Sequence, residues 1–443
     1  MKRSNIHMKF FRSGSSRIAG MALFSGLIML GISAVAFGHG EGEPDLGGVT
    51  PGEGSGETGM FISESLGRTL GNIRSLMDKN QYQEAVNRLE TLEQRSDSYN
   101  RYENAVVHQT LAYAYASIND YAQATEAFAE ALSFKALSRE STLAVMQNLG
   151  QLYIVTEEYE KGITILENWM ALAQPKDIAP HMRVLLGNAY LHQKDYAKAV
   201  AQLKQAVTEV DQPNKTWLQI LASTYQQWGH YGEMAEVLQQ AVIIYPEEKA
   251  FWQQLVAAYR QANDDKQAAA ALALSCNAGL CDEKDITYLA RLYLYLGAPV
   301  SAAHLIDAAL RDGRMPDEAD NWKLLAQSWQ QARETDKATT AYIEAAKRTK
   351  ISGDADYRLG QIYVQQEKWQ PAAAALAEAL RKGQLSSVGR AQLMLGVSHY
   401  YLGHTEQALT AVEAAVRYPD VEKEARRWLQ QLRAMPAAEN RKG

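Results

Sequence analysis

Apolar residues in this chain recur at helical spacing in paired segments, beginning near residue 66. Residues 148–153, 185–190 and 358–363 each contain a leucine, then a glycine, and an aromatic residue three positions after the glycine. A second set follows each segment at fixed spacing: Tyr159, Gly162 and Leu166; Tyr196, Ala199 and Leu203; Trp369, Ala372 and Leu376. Spacings of three and four residues place side chains on one face of a helix. The pattern therefore predicts pairs of helices that approach closely at small residues.

The pattern continues through the chain, with repeat starts near residues 66, 105, 143, 180, 215, 249, 283, 319, 353 and 389. The second helices share a mostly small residue: Ala85, Ala124, Gly162, Ala199, Met234, Ala268, Ala302, Ala338, Ala372 and Ala408. The first helices share an aromatic one: Tyr115, Tyr153, Tyr190, Tyr225, Tyr259, Tyr293, Trp329 and Tyr363. This resembles the tetratricopeptide repeat (TPR). The resemblance implies an all-α fold, a right-handed α-solenoid of about ten TPR helix hairpins, because a single hairpin cannot bury its apolar face alone.

The domain boundaries follow from this repeat. The TPR array covers residues 63–433, and residues 421–432 have the amphipathic pattern of a C-terminal capping helix. A short tail, 434–443, follows.

The first 37 residues read as a signal peptide. Five basic residues and no acidic ones precede an uncharged run at 18–37, and Ala34 to Ala36 fits a signal peptidase site. An uncleaved signal anchor is the alternative, because twenty uncharged residues can span a bilayer. Both readings export the rest of the chain. Residues 38–62 are rich in glycine and acids, which predicts a flexible linker.

Composition narrows the function further. The chain has 45 basic and 51 acidic side chains, a net charge of −6, and removal of the basic N-terminal segment would make it −11. That balance argues against a general nucleic-acid binder.

Motifs for catalysis and cofactors are missing. The sequence has no GxSxG, HExxH, P-loop or GxGxxG motif, so we expect no enzyme, no cofactor and no metal site in the array. Cleavage after Ala36 would leave Phe37, Gly38 and His39 at the N-terminus, a sequence that suits Cu(II) or Ni(II). An incidental histidine is the simpler interpretation.

The chain has two cysteines, Cys276 and Cys281, at the end of a second helix. In an exported protein we expect them to form a local disulfide, whereas free thiols are the alternative.

The first helices of a TPR array line a concave groove with their positions 2, 5, 9, 12 and 13. Fourteen of these 45 positions in nine repeats are amides: Gln109, Gln147, Gln151, Asn188, Gln219, Gln226, Gln227, Gln253, Gln261, Gln327, Gln330, Gln331, Gln361 and Gln365. Five are basic (Arg260, Lys284, Arg291, Lys323, Arg390) and two acidic (Asp320, Asp354), and Tyr113, Tyr295, Tyr357, Tyr400 and Tyr401 add aromatic surface. Amides both donate and accept hydrogen bonds, so they can pair with an extended peptide. We predict a peptide-binding groove at Gln226, Gln227, Gln253, Arg260, Gln261, Arg291, Tyr295, Gln327 and Gln330. The alternative is that glutamine is simply a good helix former on a wet face.

The order of features resembles one group of TPR proteins in more detail. A signal segment and linker precede residues 81–85 and 98–103, and the segments 288–299 and 309–313 follow later in the array. This is similar to exported TPR proteins of Gram-negative bacteria that accompany a TonB energy-transduction system. The resemblance implies a non-enzymatic periplasmic accessory of nutrient uptake, such as uptake of iron complexes, with TonB, ExbB or ExbD as partner. The long acidic linker and the cysteine pair depart from that group. A scaffold for envelope polysaccharide export or outer-membrane protein assembly is the alternative function.

Overall fold

The computed structural model describes residues 61–434. The predicted signal segment, most of the predicted linker and almost all of the tail lie outside the described residues. The described part contains 21 α-helices: α1 (Glu64–Asp78), α2 (Tyr82–Glu93), α3 (Arg101–Ser117), α4 (Tyr121–Ser133), α5 (Arg139–Val155), α6 (Tyr159–Leu172), α7 (Pro180–His192), α8 (Tyr196–Thr208), α9 (Lys215–Trp228), α10 (Tyr231–Ile244), α11 (Lys249–Gln261), α12 (Asp265–Asn277), α13 (Glu283–Tyr295), α14 (Pro299–Arg311), α15 (Ala319–Gln331), α16 (Thr335–Lys347), α17 (Asp354–Gln365), α18 (Trp369–Lys382), α19 (Val388–Tyr401), α20 (Thr405–Ala415) and α21 (Glu422–Ala434).

Between residues 61 and 434 the chain forms helices and turns but no strand. The predicted all-α class, built of TPR helix hairpins with a C-terminal capping helix, is confirmed. The chain divides into two compact units, Met1–Trp228 and Gly229–Gly443, with the boundary between α9 and α10. Within each unit consecutive helices pack on one another, as in an α-solenoid. No described helix has the length and apolar character needed to span a membrane.

The ladder of small residues explains how the two helices of a hairpin approach each other. All ten ladder positions are buried, and the eight alanines among them are fully inaccessible. At the facing position of the first helix, a Cβ added to Gly187 would lie only 2.7 Å from Leu203 Cγ. Small residues are therefore required where the two helices cross.

Two of the ladder aromatics connect their first helix to the helix before it by a hydrogen bond. The Tyr115 hydroxyl on α3 donates to Glu90 Oε1 on α2 at 2.8 Å. The Tyr190 hydroxyl on α7 donates in the same way to Glu167 on α6. Burial and the nearby carboxylate together raise the pKa of both tyrosines. These bonds link one hairpin to the next.

Each turn from a first to a second helix contains one residue with positive φ: Asn80, Asn119, Glu157, Lys194, Gly229, Asn263, Gly297, Arg333, Glu367 and Gly403. This left-handed conformation costs residues other than glycine and asparagine about 1–2 kcal/mol. In the first two turns the asparagine side chain is held by the aromatic residue that follows. Tyr82 and Tyr121 donate their hydroxyl protons to Asn80 Oδ1 and Asn119 Oδ1 at 2.7 and 2.9 Å.

The last helix, α21, closes the apolar end of the second unit. Val421, Ala425 and Leu432 are buried in a cluster with residues of α19 and α20. Arg433 forms an ion pair with Glu413 of α20 at 2.7 Å. The outer face of α21 is polar, so this helix caps the array against solvent.

Candidate binding surface

Three first helices of the second unit, α11, α13 and α15, are joined side by side through their side chains. Lys249 Nζ of α11 lies 3.0 Å from Asp282 Oδ2, at the start of α13, and 2.7 Å from Asp285 Oδ2 on α13. The hydrogen bonds that Lys249 donates to these carboxylates, first to Asp285 and then to Asp282, raise the pKa of its ammonium group. The Arg260 guanidinium lies 5.5 Å from the ring centre of Tyr288 on α13. These contacts fix α11 against α13.

A second set of contacts joins α13 to α15. Asn321 Nδ2 of α15 donates to Glu283 Oε1 of α13 at 3.1 Å. Gln331 Nε2 donates to the Leu294 carbonyl at 3.5 Å. The sequence interpretation missed this network. Its one visible signal was the acidic pair Asp282 and Asp285, which forms a capping box at the start of α13.

These contacts leave one side of the three helices open. We define the amide–basic surface as Gln253, Arg260 and Gln261 of α11, Lys284, Arg291 and Tyr295 of α13, and Gln327 of α15. All seven side chains are exposed, and Tyr295 retains 76% of its accessible area. On α13, Lys284 and Arg291 are seven residues apart and Tyr295 follows four later, which aligns them on one face.

The charges of this surface are only partly neutralised. Arg260 Nε lies 3.6 Å from Asp265 Oδ1, a weak ion pair. Within the described residues, Lys284 and Arg291 have no carboxylate within 4.0 Å. Two unpaired cations, exposed amides and an exposed tyrosine therefore lie on neighbouring helices. This arrangement can bind an extended chain that offers carbonyl groups and acidic side chains.

The other predicted groove residues lie elsewhere or serve another contact. Gln226 and Gln227 are exposed on α9, which belongs to the first unit. Gln330 lies at the edge of α15, where its Oε1 accepts a hydrogen bond from the Tyr342 hydroxyl of α16 at 3.0 Å. Burial raises the pKa of Tyr342 to about 12. Gln330 therefore joins the two helices of its own hairpin.

In the first unit the expectation of an open amide groove was wrong for two of the amides. Gln109 and Asn188 are 5% and 7% exposed. Gln147 and Gln151 of α5 point their Nε2 groups at the sulfur of the buried Met182 on α7, at 3.6 and 3.4 Å. Gln109 and Asn188 are thus covered, whereas Gln147 and Gln151 are half-buried.

Tyr357 was also expected to face the groove, on α17 of the second unit, and this was wrong too. It is 4% exposed and packs in an apolar cluster with Leu376 and Ala391.

The two cysteines are joined in the structure. Cys276, at the end of α12, is bonded to Cys281, one residue before the N-cap of α13. The enclosed turn also has backbone hydrogen bonds from Gly279 N to Cys276 O and from Leu280 N to Ser275 O, both at 3.1 Å. The disulfide thus constrains the connection between two helices that carry or support the amide–basic surface.

No group of three or more His, Cys, Asp or Glu side chains that could hold a metal occurs among residues 61–434. His181 and His192 lie near opposite ends of α7, and both are exposed. The predicted terminal metal motif at His39 lies outside the described residues.

Two family models of the tetratricopeptide repeat match the chain, one at residues 323–387, 357–420 and 393–429 and the other at residues 105–136. The chain therefore contains tetratricopeptide repeats in these parts. Proteins of this class are generally non-catalytic scaffolds for protein–protein interaction, and their stacked repeats form extended binding surfaces. A model of ChAPs (Chs5p-Arf1p-binding proteins) matches residues 141–289. A comparison with curated protein sequences gave no significant match.

Several solved structures are similar at low identity. A structure of Naa15/Naa10 bound to HypK-THB has a TM-score of 0.43 and 15% identity, covers 83% of this chain and is itself covered over 60% of its length. A tetratricopeptide repeat protein from Parabacteroides merdae has a TM-score of 0.35 and 13% identity, and the match covers 65% of this chain and 94% of that protein. The C-terminal part of a TPR protein from Cytophaga hutchinsonii has a TM-score of 0.36 and 13% identity, and the match covers 62% of this chain and 94% of that structure.

Proposed function

We propose that this chain is an exported, non-enzymatic scaffold whose amide–basic surface holds an extended segment of another envelope protein. We further propose that it acts in the periplasm as an accessory of TonB-dependent nutrient uptake, with TonB, ExbB or ExbD as the partner. Residues 18–37 direct its export, and they anchor it to the inner membrane if they are not cleaved.

The observation that carries the proposal is the open face of α11, α13 and α15. An extended segment makes no internal hydrogen bonds, so its carbonyl and N–H groups need partners. Gln253 on α11 and Gln327 on α15 offer both donors and acceptors, on the two sides of α13. Lys284 and Arg291, which have no carboxylate partner in the described part, favour a segment with acidic side chains.

Export is supported by the disulfide as well as by the N-terminal sequence pattern. Disulfides persist in oxidising compartments such as the periplasm and are rare in the cytosol. The oxidation state of Cys276 and Cys281 in living cells tests this point. Alkylation of acid-trapped cells with a mass-tagged maleimide should modify neither cysteine before reduction and both after it. Modification of both without reduction would contradict export.

The choice of a TonB-system partner rests on the resemblance described from the sequence. The test is crosslinking in the native cell followed by identification of the captured proteins. A triple variant, with Arg260→Glu, Arg291→Glu and Gln253→Ala, should lose TonB, ExbB or ExbD from the crosslinked material. Added salt should weaken wild-type capture only modestly, because few charges are involved.

A matched control separates the surface from general charge effects. Arg311→Glu, Arg381→Glu and Gln370→Ala make the same three changes at exposed positions of α14 and α18. This control should capture the same proteins as wild type. Equal capture by the surface variant would show that this face is not the site. Capture of polysaccharide-export or outer-membrane assembly proteins instead would keep the surface and overturn the TonB assignment.

A further inference from the structure

The first unit contains a cavity of about 240 Å³ between the start of α2, the end of α3, α4 and α5. Its apolar wall is formed by Phe128, Leu152 and Val155. Phe128 is almost fully buried and is held edge-on by the ring of Tyr113, with ring centres 5.0 Å apart. This wall is rigid because it belongs to the core of the hairpin.

Two tyrosine rings form the sides of the cavity and are fixed by hydrogen bonds. Tyr82 and Tyr121 each donate their hydroxyl proton to the asparagine two residues earlier, Asn80 or Asn119. Both asparagines have positive φ in their turns. The rings therefore present apolar faces to the cavity without needing to reorganise when a ligand enters.

Charge limits what the cavity can bind. None of its lining side chains is an acid, a lysine, an arginine or a histidine. A phosphate, a carboxylate or a metal ion would have to leave water without a compensating charge, which is strongly unfavourable. The ligand is therefore neutral where it enters the cavity.

Spare hydrogen-bonding groups remain at the rim. Asn148 donates one Nδ2 proton to the Tyr113 hydroxyl at 3.2 Å, which leaves its Oδ1 and a second N–H. Asn119 accepts the Tyr121 proton on Oδ1, which leaves its amide N–H groups. A peptide main chain needs this combination of donors and acceptors.

The size then selects the ligand. Pockets for whole cofactors or drug-sized molecules are roughly 300–1,000 Å³. An apolar cavity of about 150 Å³ already holds a benzene ring. We propose that this cavity binds one bulky apolar side chain, phenylalanine or leucine, of a neutral extended peptide segment in a partner protein, whose main chain pairs with Asn119 and Asn148. The site lies wholly in the first unit and does not depend on the amide–basic surface of the second.

The test uses the full-length protein and four defined peptides. These are N-acetyl, C-amide heptapeptides of glycine and serine whose central residue is alanine, leucine, phenylalanine or glutamate. Dissociation constants are measured by ligand-observed NMR. The phenylalanine and leucine peptides should bind at least about tenfold more tightly than the alanine peptide, which corresponds to about 1.4 kcal/mol. The glutamate peptide should bind no better than the alanine peptide.

A cavity-filling variant locates the binding. Val155→Trp should weaken the phenylalanine peptide at least about tenfold, which corresponds to about 1.4 kcal/mol. Val300→Trp, at an exposed position of α14, should leave it unchanged. If Val155→Trp does not fold, Asn148→Lys serves instead, because an ammonium group at the rim should attract the glutamate peptide and so reduce the preference for phenylalanine over glutamate.

Three results would overturn the proposal. One is equal affinity for the alanine and phenylalanine peptides. Another is unchanged affinity for the phenylalanine peptide in a folded Val155→Trp variant, or an unchanged preference for phenylalanine over glutamate in a folded Asn148→Lys variant. The third is displacement of the phenylalanine peptide by glucose, at a glucose concentration that does not change binding to the amide–basic surface. That result would assign the cavity to a sugar.

Discussion

Two pairs of equivalent positions in the first helices differ in exposure between the two units. In the first unit, Gln109 and Asn188 are buried, and Gln147 and Gln151 turn towards Met182 of the next first helix. In the second unit the corresponding side chains, such as Gln253 and Gln327, are exposed. The repeat motif determines how helices pair within a hairpin. It does not determine whether the face next to that pairing is closed or open.

Two first helices of the first unit are also longer, although Asn188 is buried on α7, which has 13 residues. Helices α3 and α5 have 17 residues each, whereas α11, α13 and α15 have 13. The extra turn places Gln109 in the middle of α3, while Gln253 is the fifth residue of α11. In the second unit the joining contacts are made by Lys249, Tyr288 and Asn321, which leaves the face beside them uncovered.

The largest effect should come from a position where the two units do not differ. Gly187→Leu in the first unit and Gly360→Leu in the second both place a side chain against a leucine, at 2.7 and 2.5 Å from its Cγ. Overpacking of this kind costs about 1–3 kcal/mol or more. Each variant should therefore melt well below wild type.

The matched control is Gly71→Leu on α1, where a Cβ meets nothing within 4 Å. Its melting temperature should equal or slightly exceed that of wild type, because leucine is a better helix former than glycine. If all three variants melted alike, the hairpin register described for both units would be wrong.

A charge should destabilise the protein at a buried groove position of the first unit and have little effect at an exposed groove position of the second. Gln109→Lys puts an ammonium group at a buried site, which we expect to cost about 2 kcal/mol. Gln327→Lys puts the same group on the open face of α15, where surface changes stay within about 0.5 kcal/mol. Urea denaturation measures both. Equal midpoints would remove the distinction between a closed and an open face.

Removal of the disulfide should affect only the second unit. A bond that closes so short a loop stabilises by about 2 kcal/mol in the chain-entropy model. The double variant Cys276→Ser, Cys281→Ser should therefore lose amide-exchange protection in α12 and α13 while α3 to α7 keep theirs. Loss of protection in α3 to α7 as well would show that the two units do not unfold separately.

The smallest effect should come from the turns, which are alike in both units. Glu157 and Arg333 have positive φ in equivalent turns. Glu157→Gly and Arg333→Gly should each raise stability by about 0.5–1 kcal/mol, because glycine removes the steric cost of this conformation. Gly297→Ala, at φ +75°, should have the opposite sign. Thermal melting that showed a loss for both glycine variants would contradict this interpretation of the turns.

Much of the fold could be predicted because its determinants are local. The predicted repeat starts at 215, 249, 283 and 319 coincide with the first residues of α9, α11, α13 and α15. The starts at 105 and 143 fall four residues inside α3 and α5. Asn100 and Ser138 accept hydrogen bonds as N-caps and extend these two helices by a turn that the repeat pattern does not contain.

The binding surface could be predicted only in part, because exposure depends on contacts between hairpins. Gln253, Arg260 and Arg291 are exposed, as the repeat positions suggested. The burial of Gln109 depends on how α3 packs with its neighbours, which no local motif records. The cavity beside Tyr82 and Tyr121 was missed for the same reason, since its walls come from four helices.

The central claim is that Gln109 and Asn188 of the first unit are closed, whereas Gln253 and Gln327, at the equivalent repeat positions of the second unit, are open. The most direct measurement is the reaction rate of single introduced cysteines with a water-soluble maleimide, since both native cysteines are bonded to each other. Gln253→Cys and Gln327→Cys should react as fast as a denatured control, whereas Gln109→Cys and Asn188→Cys should react at least about tenfold more slowly because opening of the packed helices must come first. Similar rates at all four positions in folded protein would contradict the claim.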